Sequence, residues 1–169
     1  MKKLSFVFFI PLAFCASLQA QQKFGHLNSG NLLEQLPAVA KADTMLAKYR
    51  DSLVVKGEAL VAKFETDYKA YIEDANKGTL PPVQAKQKEE VLQKQQQDIE
   101  AYRQEMDQKI GVRRQAYLKP ILEKVDAAIK SVGKEKNYAF IFDTSTGGTL
   151  FAQESEDVSA VVKAKLGLK

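Results

Sequence analysis

The sequence predicts an α+β protein in which a long antiparallel helical hairpin stands on a small β base. Residues 38–132 are dense in Ala, Leu, Lys, Glu and Gln, which are strong helix formers. This stretch has one clear break, at residues 76–82, where Gly78 suits a helix end and Pro81-Pro82 suits a helix start. Two long helices joined by one tight break should fold back on each other. We call residues 38–132 the arm, and residues 21–37 and 133–169 the base.

The first twenty residues have the pattern of a secretory signal peptide. A basic start precedes a short apolar run, and Ala20 supplies the small residue of a cleavage site. The apolar run is shorter than the roughly 20 residues that span a bilayer, so no stable membrane anchor is expected. Phe14 occupies the position before Cys15 where a lipoprotein would have a small residue. We therefore expect an exported protein that begins at Gln21, without lipid and without cysteine.

The charge of the chain argues against a nucleic-acid partner. The formal net charge is +4, and loss of Lys2 and Lys3 with the signal peptide leaves +2. This mild excess is spread over a mixed-charge sequence, without the basic run or binding motif that nucleic-acid recognition would bring.

A short strand and a short helix are predicted before the arm. Phe24 and Leu27 give the strand its apolar character. Asn28 or Ser29 can cap the helix that follows, and Pro37 should bend the chain or open a new helix.

Apolar residues recur at steps of three and four along both helices of the arm, which predicts a seam between them. Gly57 disturbs the regular repeat, and residues 93–98 contain no apolar side chain, so the seam should be thin near the break. Pro120 should kink the second helix near the base. Gly133 is the predicted end of that helix.

The C-terminal part of the base contains the clearest strand pattern, at residues 137–143, which is apolar on both faces. Turn chemistry at residues 144–148 predicts a second strand at residues 149–152. Asp157 should cap a terminal helix over residues 158–166. Four apolar residues are expected on one face of this helix: Val158, Val161, Val162 and Leu166.

Three short strands in one chain leave two open edges and an apolar strand that one chain can hardly cover. The sequence therefore predicts oligomerisation, with strands from several chains completing one sheet or barrel. The residues expected to build this base are Phe24, Leu27, Tyr138, Phe140, Ile141, Phe142, Leu150 and Phe151.

The order of these elements resembles that of the Skp/OmpH family of periplasmic chaperones. The most specific part of the likeness is the strand at residues 138–143, then Leu150-Phe151-Ala152, then Glu156-Asp157-Val158-Ser159 before the terminal helix. The resemblance covers essentially the whole chain after the signal peptide, including the short helix interrupted at Pro37 and the two long charged helices.

This resemblance implies a periplasmic homotrimer with a central β-barrel and three arms around a cavity. It also implies a function, which is to hold unfolded outer-membrane proteins without ATP and prevent their aggregation. Family members often have strongly basic arms, whereas residues 38–132 contain 17 Lys/Arg and 15 Asp/Glu. Electrostatic capture of clients or of acidic lipid should therefore count for less here. The resemblance also brings an association with lipopolysaccharide, but it assigns that site to no particular residues of this sequence.

The sequence contains no recognisable set of catalytic residues, so we do not expect an enzyme, and no metal or cofactor is expected. His26 is the only histidine and is expected to be structural or solvated. Carboxylates are scattered along the helices beside lysines, as on a solvated surface. Gly147-Gly148 lacks the Lys and the helix start of a phosphate-binding loop.

Six arm residues are candidates for contact with unfolded clients: Phe64, Tyr68, Tyr71, Ile99, Tyr102 and Met106. Rigid aromatics and adaptable Met suit a promiscuous apolar surface. The same residues could instead form the seam between the two helices. The alternative function is a structural coiled-coil spacer or scaffold of the cell envelope, although a plain spacer needs no such base.

Overall fold

A computed structural model describes residues 22–168 of the chain, and the predicted signal peptide lies outside these residues. The elements in chain order are β1 (Lys23–Leu27), α1 (Ser29–Glu34), α2 (Pro37–Asn76), α3 (Pro82–Glu135), β2 (Tyr138–Asp143), a 3₁₀ turn (Glu154–Glu156) and α4 (Ser159–Lys165).

The long helical hairpin is confirmed. Helix α2 has 40 residues and α3 has 54. Side-chain hydrogen bonds join Leu53 to Tyr102 midway along the arm and Asp74 to Lys88 next to the break, so the two helices run antiparallel. Gly78 ends α2 with a φ of +66°, a left-handed conformation that suits glycine.

Strands β1 and β2 form a two-stranded parallel sheet. Phe24 pairs with Phe140 and Leu27 with Asp143, so the sheet joins the chain just before the arm to the chain just after it. A parallel pair needs a long crossover connection. Here the whole arm is that connection.

One side of this sheet packs on a single apolar core in the base. α1, the C-terminal part of α3 and α4 supply the other side chains of this core. Gly25 is buried in β1, where an added Cβ would lie 3.0 Å from both the Tyr138 ring and the Val158 side chain. The fully buried core side chains are Leu27, Leu32, Val132, Val158 and Val162.

The start of α1 is capped by residues from two parts of the chain. The Asn28 side chain accepts the backbone N–H of Asn31 at 2.9 Å, which is the predicted cap. Asp143, at the end of β2, accepts the backbone N–H of Ser29 at 3.1 Å. A carboxylate at a helix N-terminus is also favoured by the helix dipole.

The predicted end of the second long helix at Gly133 is wrong. α3 continues to Glu135, and the chain turns at Asn137, which has a φ of +55°. Glycine is tolerated inside a helix at a cost of about 1 kcal/mol, and asparagine also accepts the left-handed conformation.

The predicted strand at residues 149–152 is also wrong for the single chain. These residues pair with no strand within the described part of the chain. A strand forms only where a neighbouring backbone supplies hydrogen bonds. The chain instead returns to β1 later, where the N–H of Val158 donates to the carbonyl oxygen of His26 at 2.9 Å.

The terminal helix is one residue shorter at each end than predicted. α4 begins at Ser159, whose N–H donates to the Asp157 carboxylate at 2.7 Å, and Val158 occupies the cap position. Val158 and Val162 are buried and Leu166 packs against the core, but Val161 is exposed, so it does not share their face.

Candidate functional site

An aromatic face remains uncovered on the outer side of the sheet. The rings of Phe24 and Phe140 are stacked with centroids 6.0 Å apart, and the Phe142 ring lies 6.1 Å from that of Phe140. These three side chains are 45%, 59% and 51% exposed. Three adjacent exposed rings form an apolar patch of the kind that marks an interaction surface.

The residues expected to build the base therefore divide into three groups. Leu27 is buried in the core, and Tyr138 and Ile141 pack against it. Phe24, Phe140 and Phe142 form the aromatic face just described. Leu150 and Phe151 are 99% and 86% exposed and contact little of their own chain.

The six candidate arm residues form two clusters along the hairpin. The distal cluster contains Phe64 and Tyr68, whose rings are stacked with centroids 5.9 Å apart, and Tyr71 one turn further on. Tyr68 is exposed, whereas Phe64 and Tyr71 are half-buried. The Tyr71 hydroxyl donates to Glu89 at 2.5 Å, and this hydrogen bond to a carboxylate raises the pKa of Tyr71.

The second cluster is Ile99, Tyr102 and Met106 on α3, which line one groove between the helices. The groove has a volume of about 360 Å³. The Tyr102 hydroxyl donates to the carbonyl oxygen of Leu53 at 2.9 Å. Tyr102 therefore helps to hold the two helices together. This is the packing role expected from the sequence as the alternative to client contact.

Gly57 is the residue that makes this groove possible. A Cβ at position 57 would lie 3.3 Å from the Tyr102 ring, which is closer than ordinary van der Waals contact. The absence of a side chain there lets the ring lie directly against α2. In the sequence, the interruption of the apolar repeat at Gly57 was the signal for this feature.

Polar contacts also join the helices in the distal part of the arm. Gln95 donates to Asp67 at 2.5 Å, and Lys88 pairs with Asp74 at 2.5 Å. The hydrogen bond from Lys88 is the main reason that the pKa of Asp74 is lowered. Leu92 is the only fully apolar side chain buried between the described helices in this distal part of the arm.

His26 and Asp143 have structural surroundings in the base. The His26 ring nitrogen Nε2 lies 2.9 Å from the carbonyl oxygen of Gln153, to which it donates. Burial alone would raise the pKa of Asp143, but hydrogen bonds from Ser29 and Ser145 outweigh it and lower the pKa to about 2. Both side chains therefore connect the loops around the sheet.

Two kinds of feature are absent from residues 22–168. No group of three or more His, Cys, Asp or Glu side chains in this range is placed to hold a metal ion. Among the helices of the same range, none combines the length and the hydrophobicity that crossing a membrane requires.

These features define a class of protein, a helical-hairpin arm on a small parallel-sheet base with exposed apolar surfaces on both. The model of the OmpH-like outer membrane protein family matches residues 23–166. The chain therefore belongs to the OmpH-like family, which is a family of chaperones rather than of enzymes.

A solved structure supports the same fold. It is that of a candidate outer membrane chaperone (OmpH-like) from Caulobacter crescentus CB15, with a TM-score of 0.71. The two proteins are 16% identical, and the match covers 86% of this chain and 83% of the other. No curated protein matches the chain at a significant level.

Proposed function

We propose that this protein is an ATP-independent periplasmic holdase that binds unfolded outer-membrane proteins and prevents their aggregation. The observation that carries the proposal is the pair of aromatic and apolar clusters on the arm, which stay partly exposed on two highly charged helices. Tyr68 is 47% exposed, and its stacked partner Phe64 is only half-buried. Such a surface gives many weak apolar contacts to a flexible client.

Membership of the OmpH-like family supports the same function. Periplasmic localisation is supported by the signal-peptide pattern of residues 1–20 and by the general location of OmpH-like chaperones. Binding by exposed apolar surface needs no nucleotide.

The proposal includes assembly of three copies through their bases. Two features support this assembly, namely the aromatic face of the sheet and the unpaired residues 149–152. A neighbouring copy could cover the aromatic face, and its backbone could form hydrogen bonds with residues 149–152. Leu150 and Phe151 would then become buried between copies. The base and the arm would serve as separate parts, one for assembly and one for clients.

The experiment is suppression of aggregation of an unfolded porin by the purified protein, with and without ATP. For the Phe64→Ser/Tyr68→Ser variant, we expect that several-fold more protein is needed for equal suppression, since one exposed ring and one half-buried ring are lost. Gln96→Ser/Gln97→Ser is the matched control, because these exposed polar side chains lie at nearly the same level of the arm.

A protein that fails to suppress aggregation in any form would refute the holdase function. That result would leave the structural spacer of the envelope as the better account of the long arm.

A further inference from the structure

The groove beside Gly57 has an apolar floor with an acidic rim. Ile99, Tyr102 and Met106 lie on its α3 side, and Val54 and Val61 lie on its α2 side. Its volume of about 360 Å³ is at the lower end of the range for ligand sites in proteins, roughly 300–1,000 Å³. It is large enough for one or two apolar side chains.

The charge of the rim comes from two glutamates on α2. Glu58 and Glu65 both line the groove and are exposed. Neither forms an ion pair among the described residues. The lining contains one cation, Arg103, which lies 3.7 Å from Glu100 on its own helix. The rim is therefore net negative, although the arm as a whole is nearly neutral.

The spacing of the two glutamates suits an extended peptide. Seven residues of helix separate Glu58 from Glu65, which is about 10.5 Å along the axis. In an extended segment, residues two apart point to the same side and are about 6.6 Å apart. A side chain in the groove would thus have its same-side neighbours about 13 Å from each other. Long side chains at those positions reach both carboxylates.

We propose that this groove binds an apolar side chain of a client segment that carries Lys or Arg two residues before and two residues after it. The inference rests on the proposed holdase function and specifies the class of segment that the arm prefers. The apolar side chain enters the groove beside the Tyr102 ring, and the two cations pair with Glu58 and Glu65. Complementary charge at the rim selects among the apolar segments of an unfolded client.

The test uses three fluorescent peptides that share one central Phe and differ in charge. The first has Lys at both positions two residues away, the second has Glu there, and the third has Lys only at the directly adjacent positions. Exposed ion pairs are individually weak, and each changes an affinity by about 1.4-fold to fivefold. With two such pairs, we expect the first peptide to bind about twofold to thirtyfold more tightly than the third, and the second to bind most weakly.

Two charge variants locate the effect. Glu58→Gln/Glu65→Gln should remove the preference for the first peptide. Glu34→Gln/Glu90→Gln changes the net charge equally at exposed positions away from the groove and should keep the preference. A photoreactive group in place of the central Phe should cross-link to residues 54–65 or 99–106.

Equal binding of the three peptides, or equal loss of preference in both variants, would overturn the inference. Aggregation of an unfolded porin is measured with the same preparations. A protein that suppresses aggregation without preferring the first peptide disproves the groove assignment alone, whereas a protein that does not suppress aggregation disproves the holdase function itself.

Discussion

Replacing Phe140 by Ser should weaken assembly far more than it weakens the single chain. The Phe140 ring is 59% exposed on the outer face of the sheet, so its removal leaves little cavity in the core of its own chain. An aromatic side chain presents roughly 200 Å², and the exposed part is therefore about 120 Å². Full burial of that area by a neighbouring copy would contribute about 3 kcal/mol per chain.

In the proposed trimer the effect would be larger, because three copies would lose the same contact. The loss is then about 9 kcal/mol per trimer, and each 1.4 kcal/mol is a factor of ten in the equilibrium constant. The concentration at which half of the chains are assembled varies as the square root of that constant. We expect this concentration to rise about a thousandfold, which is an upper value because it assumes that the exposed part of every Phe140 ring becomes fully buried.

Sedimentation velocity over a wide range of protein concentration measures this shift, and circular dichroism reports whether the helices remain. Val55→Ser is the matched control, since Val55 is a 63% exposed apolar residue on the arm instead of the base. A Phe140→Ser protein that assembles at the same concentration as the unchanged protein would refute burial of this face between copies.

Three further substitutions test the contacts within the chain. Gly57→Val should lower the free energy of unfolding by about 1–3 kcal/mol, because the valine side chain would meet the Tyr102 ring. Thermal melting measures this loss, and an unchanged melting temperature would contradict the close contact between position 57 and Tyr102. Val132→Ala removes two methyl groups from a side chain with 0% exposure and should cost about 2 kcal/mol in urea unfolding. For Asp143, a folded pKa of about 2 against the ordinary 3.8 means that its stabilising effect is complete above pH 3.8 and is lost as the pH falls towards 2. Asp143→Asn should therefore cost about 1 kcal/mol at pH 7, after allowance for solvent screening, and should flatten the fall in stability below pH 4, as followed by urea unfolding at several pH values.

Local signals in the sequence were sufficient for most of the element boundaries. Asn28 caps α1, Pro37 is the first residue of α2 and Gly78 ends it, because each of these residue types has a backbone preference that holds in any surroundings. The strand at Tyr138–Asp143 was predictable from its run of apolar and aromatic residues.

Features that depend on distant partners were not predictable in the same way. Residues 149–152 have strand-like composition, but no backbone within the described chain lies beside them to pair with. The exposure of Val161 depends on how α4 rests on α3, which the spacing of its apolar residues does not specify. The contact of Tyr102 with Gly57 needed the register of the two helices, which the repeat alone leaves open.

The polar contacts in the distal arm explain how the hairpin can stay closed while keeping apolar surface exposed. Pairs such as Asp67 with Gln95 and Asp74 with Lys88 join the helices through side chains that also tolerate water. A fully apolar seam would have to bury its aromatic rings to gain the same stability. Beside these polar contacts, the ring of Tyr68 is 47% exposed. Polar side chains thus join the two helices where the sequence has few apolar residues, and apolar side chains remain exposed beside them. A stable arm is therefore compatible with the proposed apolar contact with a client.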